Sequence, residues 1–399
     1  MTLDKIYRAA FTLKDVTRTT DLIAASKLQG SNNLYLKTEN LQLTGSFKLR
    51  GAFYKISQLT AEERAHGVLA CSAGNHAQGV ALAATQMGIK SVVCMPDGAP
   101  IMKVESTKGL GAEVCLVKGN YDDAYDHAVK LKAETDMTFI HPYDDEDVIA
   151  GQGTIGLEIL EQLPEVDAVV VPIGGGGLIS GVAYAVKTLR PDIKVYGVQA
   201  AGAASMFAAY KSGAYQTLDT ATTFADGIAV KKPGENTFPL VQQYVDEIFT
   251  VTEDEIAAAI LALMENQKLV AEGAGAVAVA AAIFDKLPIK GKNVVCIVSG
   301  GNIDVNILSR VITRGLVMSG RNVSLTISLT DKPGQLTQVS EIISQCGGNI
   351  TGVDYDRSNA NMPISSCFLK LGLETRDNKQ IEAIKTTLAK AGFHLVGEM

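Results

Sequence analysis

The sequence predicts an α/β fold followed by a smaller split βαβ module. Short Val/Ile-rich runs alternate with Ala-rich stretches of helical spacing from residue 67 to residue 298. Each run ends in Gly, Ser, Asn or Pro, at the place where parallel sheets collect their ligands. After about residue 311 the pattern changes, and from residue 323 apolar and polar residues alternate strictly, which marks the start of a second fold.

Six apolar runs are expected to form the parallel strands. They cover residues 67–71, 91–95, 113–117, 168–171, 194–198 and 293–298. The runs fall into two groups, before and after about residue 150. This grouping predicts two α/β subdomains within residues 1–320, a small one at approximately 50–150 and a large one made of the remainder.

The C-terminal module is expected over residues 321–399. Its strands are predicted at 323–329, 349–356, 364–371 and 393–396, and its helices at 335–346 and 380–391. The βαββαβ order is that of a ferredoxin-like unit. Because the module contains few residues suited to catalysis, we expect it to serve binding or association.

Composition and charge exclude several classes of protein. The 399 residues predict two or three domains, and 47% hydrophobic against 20% charged residues excludes a disordered chain. The net charge of −7 without a basic run argues against nucleic acid as a partner, and no apolar stretch predicts a membrane segment. The six cysteines form no CxxC pair and lie mostly in apolar runs, which indicates reduced core thiols, no zinc ligands and a cytoplasmic location.

Lys48 is the first candidate for chemistry. It lies where a strand passes through a turn into a helix that is expected to be capped near Thr44 or Ser46. A cation in the first turn opposes the helix dipole, and the apolar neighbours Phe47 and Leu49 remove water, so both effects lower the pKa of the lysine. An uncharged amine forms a Schiff base with a carbonyl compound. On local spacing alone, a surface lysine with a packed stem is the alternative.

Two short loops at strand ends are further candidates. The first leads into an Ala-rich helix, whose free N–H groups suit a carboxylate. Its residues are Ser72, Ala73, Gly74, Asn75 and His76. An ordinary turn, with Asn75 or His76 as a helix cap, is the alternative. The second loop begins at Ser299, which is either a hydroxyl that faces a ligand or a cap.

Four consecutive glycines separate a strand from a helix that begins near Leu178. They are Gly174, Gly175, Gly176 and Gly177. Without side chains, the backbone N–H groups are free to surround an anion, and we expect a phosphate there. A dinucleotide loop is the alternative, but GxGxxG is not matched, and Gln199 follows the next strand where an acid is needed to bind ribose. A reactive amine beside a phosphate cradle predicts pyridoxal phosphate.

With these segments in order, the chain resembles the fold type II (tryptophan synthase β-like) pyridoxal-phosphate enzymes, and within them the threonine/serine dehydratases. The resemblance is carried by Ser46-Phe47-Lys48-Leu49-Arg50-Gly51-Ala52, by the loop at 72–76, by Gly174 to Leu178 and by Ser299-Gly300-Gly301-Asn302. It covers almost the full catalytic length. The tail from about residue 323 resembles an ACT regulatory domain, a module that commonly binds amino acids.

The resemblance implies a role for each matching residue. Lys48 holds the cofactor as a Schiff base and acts as general base, and Ser72 is the second catalytic candidate. Phe47 packs against the ring, Asn75 contacts its 3′-oxygen, and Gly174 to Leu178 bind the phosphate. The substrate carboxylate rests on the loop at 72–76. Ser299 faces the pyridine nitrogen, and because a hydroxyl does not hold that nitrogen protonated, elimination is favoured over transamination.

The activity implied by the resemblance is β-elimination of L-threonine to 2-oxobutyrate and ammonia, and of L-serine to pyruvate, with allosteric control through the ACT domain. Serine dehydratase or serine racemase of the same family is the alternative. Ala73 favours dehydration, because racemases carry a hydroxyl at that position. A NAD-dependent dehydrogenase and a non-catalytic amino-acid sensor are the alternatives from other classes.

Three further expectations follow from the family pattern. No metal is expected, because Thr222 stands where a carboxylate often accompanies the one matching residue, Asp226. Glu272 lies either near the cofactor edge or in a structural hydrogen bond.

ACT modules usually bind ligands between paired copies, here around residues 331–336 and 347–350. This implies a homo-oligomer, a tetramer or dimer, with isoleucine, valine or a nucleotide as the effector.

Overall fold

The computed structural model describes residues 1–28, 30–357 and 365–398. They form two compact units, Met1–Ile303 and Asp304–Met399. The helix that precedes the C-terminal module therefore belongs to the second unit. The sequence predicted the domain boundary after that helix, between residues 320 and 321. Within the described residues, no helix combines the length and the apolar character that crossing a membrane requires.

The first unit is built from short strands and the helices that cover them. Its helices are α1 (Leu3–Leu13), α2 (Lys48–Ser57), α3 (Ala61–His66), α4 (Asn75–Gln86), α5 (Ile101–Gly109), α6 (Tyr121–Thr135), α7 (Glu146–Gln162), α8 (Gly177–Leu189), α9 (Ser205–Ser212), α10 (Thr237–Tyr244), α11 (Glu253–Ala262) and α12 (Gly273–Ile283). Its strands are β1 (Leu22–Ala24), β2 (Asn33–Lys37), β3 (Val68–Cys71), β4 (Ser91–Pro96), β5 (Glu113–Val117), β6 (Thr138–Phe139), β7 (Ala168–Pro172), β8 (Lys194–Ala200), β9 (Glu247–Val251) and β10 (Asn293–Ile297).

These strands form two separate sheets. The larger sheet has the order β1-β2-β10-β7-β8-β9, and only the pair β1–β2 is antiparallel. The smaller sheet has the order β5-β4-β3-β6 and is parallel throughout. Each of the six apolar runs became a strand, which confirms the predicted α/β fold with two subdomains. The runs are continuous because both faces of a parallel sheet are buried.

Helix α7 lies between α2 and α8 and contacts both at glycines. A methyl group at Gly151 would overlap the backbone of Arg50 and Gly51 on α2. A methyl group at Gly153 would crowd the carbonyl oxygen of Gly181 on α8. The three helices therefore pack backbone against backbone, which leaves no space for a Cβ atom at these positions.

The second unit is a helix followed by the predicted βαββαβ module. Its elements are α13 (Val305–Met318), β11 (Asn322–Thr330), α14 (Gln335–Gln345), β12 (Asn349–Asp356), β13 (Ser366–Glu374), α15 (Asn378–Lys390) and β14 (His394–Glu398). The antiparallel sheet has the order β12-β13-β11-β14. Strand β11 alternates between half-buried and buried residues, as expected of a sheet with one covered face. Ile364, where the third strand was predicted to begin, lies outside the described residues.

Candidate active site

The segment that carries Lys48 is joined to the loop after β10 through the backbone. Ser46 and Gly300 form an isolated antiparallel bridge. The amide of Phe47 donates to the carbonyl oxygen of Ser299 at 3.1 Å, and the amide of Gly301 donates to that of Gly45 at 2.9 Å. Two segments that lie more than half the chain apart in sequence are thereby brought to the same edge of the large sheet.

Lys48 is the first residue of α2, but the predicted cap of this helix is wrong. The residue before the helix, Phe47, already has helical dihedral angles and provides no side-chain cap. The hydroxyl of Thr44 donates to the carbonyl oxygen of Ser46 at 3.4 Å, and the hydroxyl of Ser46 is buried without a hydrogen-bond partner. The start of α2 is held by the backbone contacts to Ser299 instead.

The amine of Lys48 lies in an environment that favours its uncharged form. Its Nζ donates to the carbonyl oxygen of Pro142 at 2.7 Å and lies 5.3 Å from the ring centroid of Phe47. Burial lowers the pKa of Lys48 to about 8, although the carboxylate of Glu272 acts in the opposite direction. A lysine of this kind is a better nucleophile near neutral pH than an exposed one.

The glycine loop leads from β7 into α8 and has no room for side chains. Gly176 has a φ of 102°, and a methyl group there would crowd Thr237 and Met206. A methyl group at Gly175 would overlap the ring of Tyr143. The hydroxyl of Thr237 donates to the carbonyl oxygen of Gly175 at 2.6 Å, which fixes the loop from outside. Because no side chain caps α8, its first N–H groups are free to bind an anion.

The segment after β6 links the lysine to the glycine loop. Pro142 accepts the hydrogen bond from Lys48, and the next residue, Tyr143, lies against Gly175 and Gly177. Both residues line a cavity of about 530 Å³, together with His141. Pro142 and Tyr143 were not among the site residues predicted from the sequence. Both residues follow the end of a strand, as the other candidate loops do. Strand β6 is only two residues long, however, so it is too short to be recognised in the sequence.

The loop at 72–76 precedes α4, which begins at Asn75 without a side-chain cap. The alternative that Asn75 or His76 caps the helix is therefore wrong. The hydroxyl of Ser72 accepts from the amide of Gly74 at 3.2 Å, and a methyl group at Gly74 would meet no atom within 4 Å. Ser72, Ala73, Gly74 and Asn75 are half-buried. The loop is therefore open enough to receive a small ligand.

His76 differs from the rest of this loop because its side chain is buried. Its Nε2 lies 2.8 Å from the carbonyl oxygen of Ile140, and its Nδ1 has no hydrogen-bond partner. Burial lowers the pKa of His76 to about 3. The imidazole is therefore neutral at physiological pH, and only the backbone of this residue is placed to contribute to the loop.

Asn75 belongs to a short chain of hydrogen bonds. Its Nδ2 donates to Oε1 of Glu272 at 2.7 Å, and its Oδ1 accepts from Nδ2 of Asn302 at 2.7 Å. Glu272 is only 4% exposed, and burial raises its pKa to about 7, with the charge of Asp226 as a further cause. From the sequence, Glu272 was expected either near the cofactor edge or in a structural hydrogen bond, and Asn302 belonged to the motif Ser299-Gly300-Gly301-Asn302 without a role of its own. The structure places both beside Asn75.

Ser299 is buried at the end of β10, with its Oγ 3.4 Å from the carbonyl oxygen of Ala274. It does not cap a helix, because the next helix begins at Val305 and is capped by Asp304. Asp226, the candidate for a cation site, is paired with Lys103. Among the described residues, Asp226 joins no group of side chains that could hold a metal.

These features fit pyridoxal phosphate. Lys48 offers an amine of lowered pKa for the aldehyde, and the loop from Gly174 to Gly177 offers backbone N–H groups where a Cβ atom would clash. The orphaned hydroxyl of Ser46 adds a polar group, and so does the half-buried amide of Asn75, which is hydrogen-bonded to Asn302 in the loop after β10. The amine of Lys48 therefore suits the aldehyde of the cofactor, the polar side chains suit its ring, and the glycine loop suits its phosphate.

Comparison with known proteins identifies the family of the chain. Residues 13–300 match the family described as pyridoxal-phosphate dependent enzyme, and the chain belongs to that family. This membership confirms the predicted cofactor and the predicted fold type II architecture of the catalytic part.

Two relatives resemble the chain over nearly its full length. An L-threonine ammonia-lyase from Thermotoga maritima is 50% identical over 397 residues, which cover 99% of each chain. An L-threonine ammonia-lyase from Geobacter sulfurreducens is 45% identical over 360 residues, which cover 90% of each chain.

Two solved structures resemble the catalytic part. The processed form of threonine deaminase isoform 2 from Solanum lycopersicum has a TM-score of 0.74 at 40% identity, over 78% of this chain and 89% of that one. Maize serine racemase has a TM-score of 0.74 at 34% identity, over 79% of this chain and 98% of that one.

Proposed function

We propose that this chain is a pyridoxal-phosphate dependent L-threonine ammonia-lyase. It eliminates water from L-threonine and releases 2-oxobutyrate and ammonia, and it converts L-serine into pyruvate in the same way. The observation that carries the proposal is the 50% identity to the Thermotoga maritima enzyme over 99% of both chains. The placement of Lys48 and the glycine loop at one edge of the large sheet supports it.

The reaction needs a group that accepts electrons and a base that removes a proton. Pyridoxal phosphate, when bound, supplies an electron sink next to the Cα atom of the substrate. Lys48 would hold the cofactor through its amine, and the free amine would remove the Cα proton of the substrate as the general base. A lysine with a pKa of about 8 is suited to this role, because the uncharged form is accessible near neutral pH.

The remaining residues hold the cofactor and the substrate. Gly174, Gly175, Gly176, Gly177 and Leu178 bind the phosphate, and Phe47 packs against the ring. Asn75 holds the 3′-oxygen, and its amide orientation is fixed by Glu272 and Asn302. The open loop at 72–76 binds the substrate carboxylate through N–H groups at the start of α4, with Ser72 as a further catalytic residue.

Ser299 directs the reaction towards elimination. Its hydroxyl is buried at the end of β10 and would face the pyridine nitrogen of the bound cofactor. A hydroxyl, unlike a carboxylate, does not hold that nitrogen protonated, so the negative charge on Cα is less stabilised. Ser299 would therefore favour loss of water over transamination.

Serine racemase is the second candidate, because the maize enzyme shares the fold at 34% identity. Racemisation needs a proton donor on the face of Cα opposite Lys48. Ala73 is half-buried in the loop that we assign to the substrate, and its methyl group has no proton to give. This residue supports dehydration as the main activity.

We assign regulation to the C-terminal module, which has the fold expected of an ACT domain. Isoleucine or valine is the proposed effector, bound between paired copies near residues 331–336 and 347–350, and the chain is proposed to form a dimer or tetramer. The domain limits at 1–320 and 321–399 stay predictions. The cytoplasm is the proposed compartment, and it is supported by the six free cysteines.

The activity is tested by measuring ammonia release from L-threonine and L-serine, with a chiral assay for D-serine. We expect release from both substrates, with threonine preferred, and no D-serine. Lys48→Ala should abolish release together with the visible absorbance of the bound cofactor. Lys90→Ala is the matched control, because this exposed lysine pairs only at the surface with Glu113. Ammonia release by Lys48→Ala at the wild-type rate would overturn the proposal.

A further inference from the structure

Three cysteines lie side by side in the small sheet, and the first of them, Cys71, directly precedes the loop at 72–76. Cys71 of β3 is in register with Cys94 of β4, and Cys94 is in register with Cys115 of β5. Residues in register on neighbouring parallel strands point to the same face of the sheet. This face is covered by α6, whose residues Ala124 and Ala128 pack in the same core as Cys71 and Cys94.

A histidine on α6 completes the group. Ala124 and Ala128 face the sheet one helical turn apart, and His127 lies beside them above the edge strand β5. Its Nε2 is 3.5 Å from Sγ of Cys115. One ligand atom from each of Cys94, Cys115 and His127 lies within 4.8 Å of the others.

The separation of these atoms matches a metal site. Zinc binds sulfur at about 2.3 Å and imidazole nitrogen at about 2.0 Å, so a tetrahedral site places the two ligands roughly 3.5 Å apart. The distance between Cys115 and His127 already has this value. Two cysteines and one histidine also form a ligand set that suits soft or borderline cations such as zinc. Calcium and magnesium, in contrast, prefer oxygen ligands.

The group runs from the core to the surface. Cys94 is fully buried, Cys115 is partly buried and His127 is exposed. An ion from solvent therefore reaches His127 and Cys115 first and Cys94 last. Cys115 lies on β5, which is an edge strand of the small sheet.

We propose that Cys94, Cys115 and His127 bind one Zn²⁺ ion per chain, with water in the fourth position. Each thiol loses its proton to solvent on binding, so two protons leave as the cation enters. The ion connects α6 to β4 and β5 and thereby stabilises the small subdomain. The site is independent of the proposed lyase activity, since none of its ligands contributes to the cofactor or substrate site.

The proposal replaces the expectation of core thiols without a metal. That expectation followed from the lack of a CxxC pair, which is the usual sequence sign of a zinc site. Here the three ligands come from two strands and one helix, and Cys94 is 21 residues from Cys115 in the printed sequence. The register of the strands, which spacing does not reveal, brings the two cysteines together.

The test is zinc binding by the full-length holoenzyme, reduced and freed of metal, in equilibrium dialysis against ZnCl₂. We expect one ion per chain, and X-ray absorption should show sulfur neighbours at about 2.3 Å. Cys115→Ser and His127→Gln should each weaken binding at least about tenfold, since loss of even an indirect ligand contact has that effect. Both side chains reach the surface, so the variants are expected to fold.

Cys346→Ser and His66→Gln are the matched controls, because they remove a partly buried thiol and an exposed imidazole outside the group. Both should bind zinc as the wild type does. Zinc should also raise the melting temperature of the wild type but not that of Cys115→Ser. Equal zinc affinity in the wild type and in Cys115→Ser, or no stoichiometric binding at all, would overturn the proposal.

Discussion

At the scale of single residues, the reactivity of Lys48 comes from its surroundings. The sequence predicted a lowered pKa from the helix start and the apolar neighbours, and the structure gives burial as the main cause. Two influences could not be predicted, because they come from distant segments. The carbonyl oxygen of Pro142 accepts from the amine, and the charge of Glu272 raises its pKa.

The lowered pKa predicts how cofactor attachment depends on pH. Only the uncharged amine reacts, so the rate at which pyridoxal phosphate attaches to the apoenzyme should rise about tenfold per pH unit and level off above about pH 8. Stopped-flow absorbance measures this rate. Glu272→Gln removes a charge that raises the pKa of Lys48, so the pH profile of this variant should shift to lower pH. Glu62→Gln, an exposed control on α3, should follow the wild-type profile. A rate that rises only near the pKa of a free lysine would contradict this account.

At the scale of elements, α2 is anchored by a buried group of charges. The guanidinium of Arg50 donates to both carboxylate oxygens of Glu39 at 2.8 Å and to Glu158 at 2.6 Å. Lys37 also donates to Glu158. Arg50 lies two residues after Lys48, so the group fixes the helix that presents the amine. The sequence could not predict this, because the partners of Arg50 lie 11 and 108 positions away.

Removal of Arg50 should therefore destabilise the apoenzyme. Arg50→Met leaves the carboxylate of Glu39, which is 0% exposed, without its partner, and breaking a buried pair in this way costs about 3–5 kcal/mol. Urea unfolding measures the loss. Arg190→Met is the matched control, because Arg190 pairs with Asp192 at the surface, and its midpoint should not change. Equal midpoints for the two variants would show that the buried group does not anchor α2.

At the scale of the whole molecule, the parallel and the antiparallel sheets could be predicted from the sequence. Strands buried on both faces and strands buried on one face have different patterns of apolar residues. Strands buried on both faces, such as β7, are continuous apolar runs, and β11 alternates because one face is exposed. Strands β1, β6 and β9 were missed, since each is short or only partly buried. Register and strand order depend on contacts between distant segments, so a single sequence could not supply them.

The two units have separate cores, which predicts two transitions in calorimetry. Removal of pyridoxal phosphate should lower the melting temperature of the first unit, because the cofactor binds only its folded form. Isoleucine or valine should raise the melting temperature of the second unit, because the effector likewise binds only the folded form. Asp331→Ala should abolish the second shift, and Glu382→Ala, an exposed control on α15, should keep it. A single transition that responds to neither ligand would contradict the assignment.

The close packing of α7 against α2 and α8 limits how this enzyme can be redesigned. A bulkier residue at Gly151 or Gly153 would push the lysine-bearing helix and the helix after the glycine loop apart, whichever substrate the designer had in mind. A library aimed at new hydroxy amino acids should therefore leave that central helix untouched. Variation belongs at Gly74 of the open loop, where a methyl group meets no neighbour.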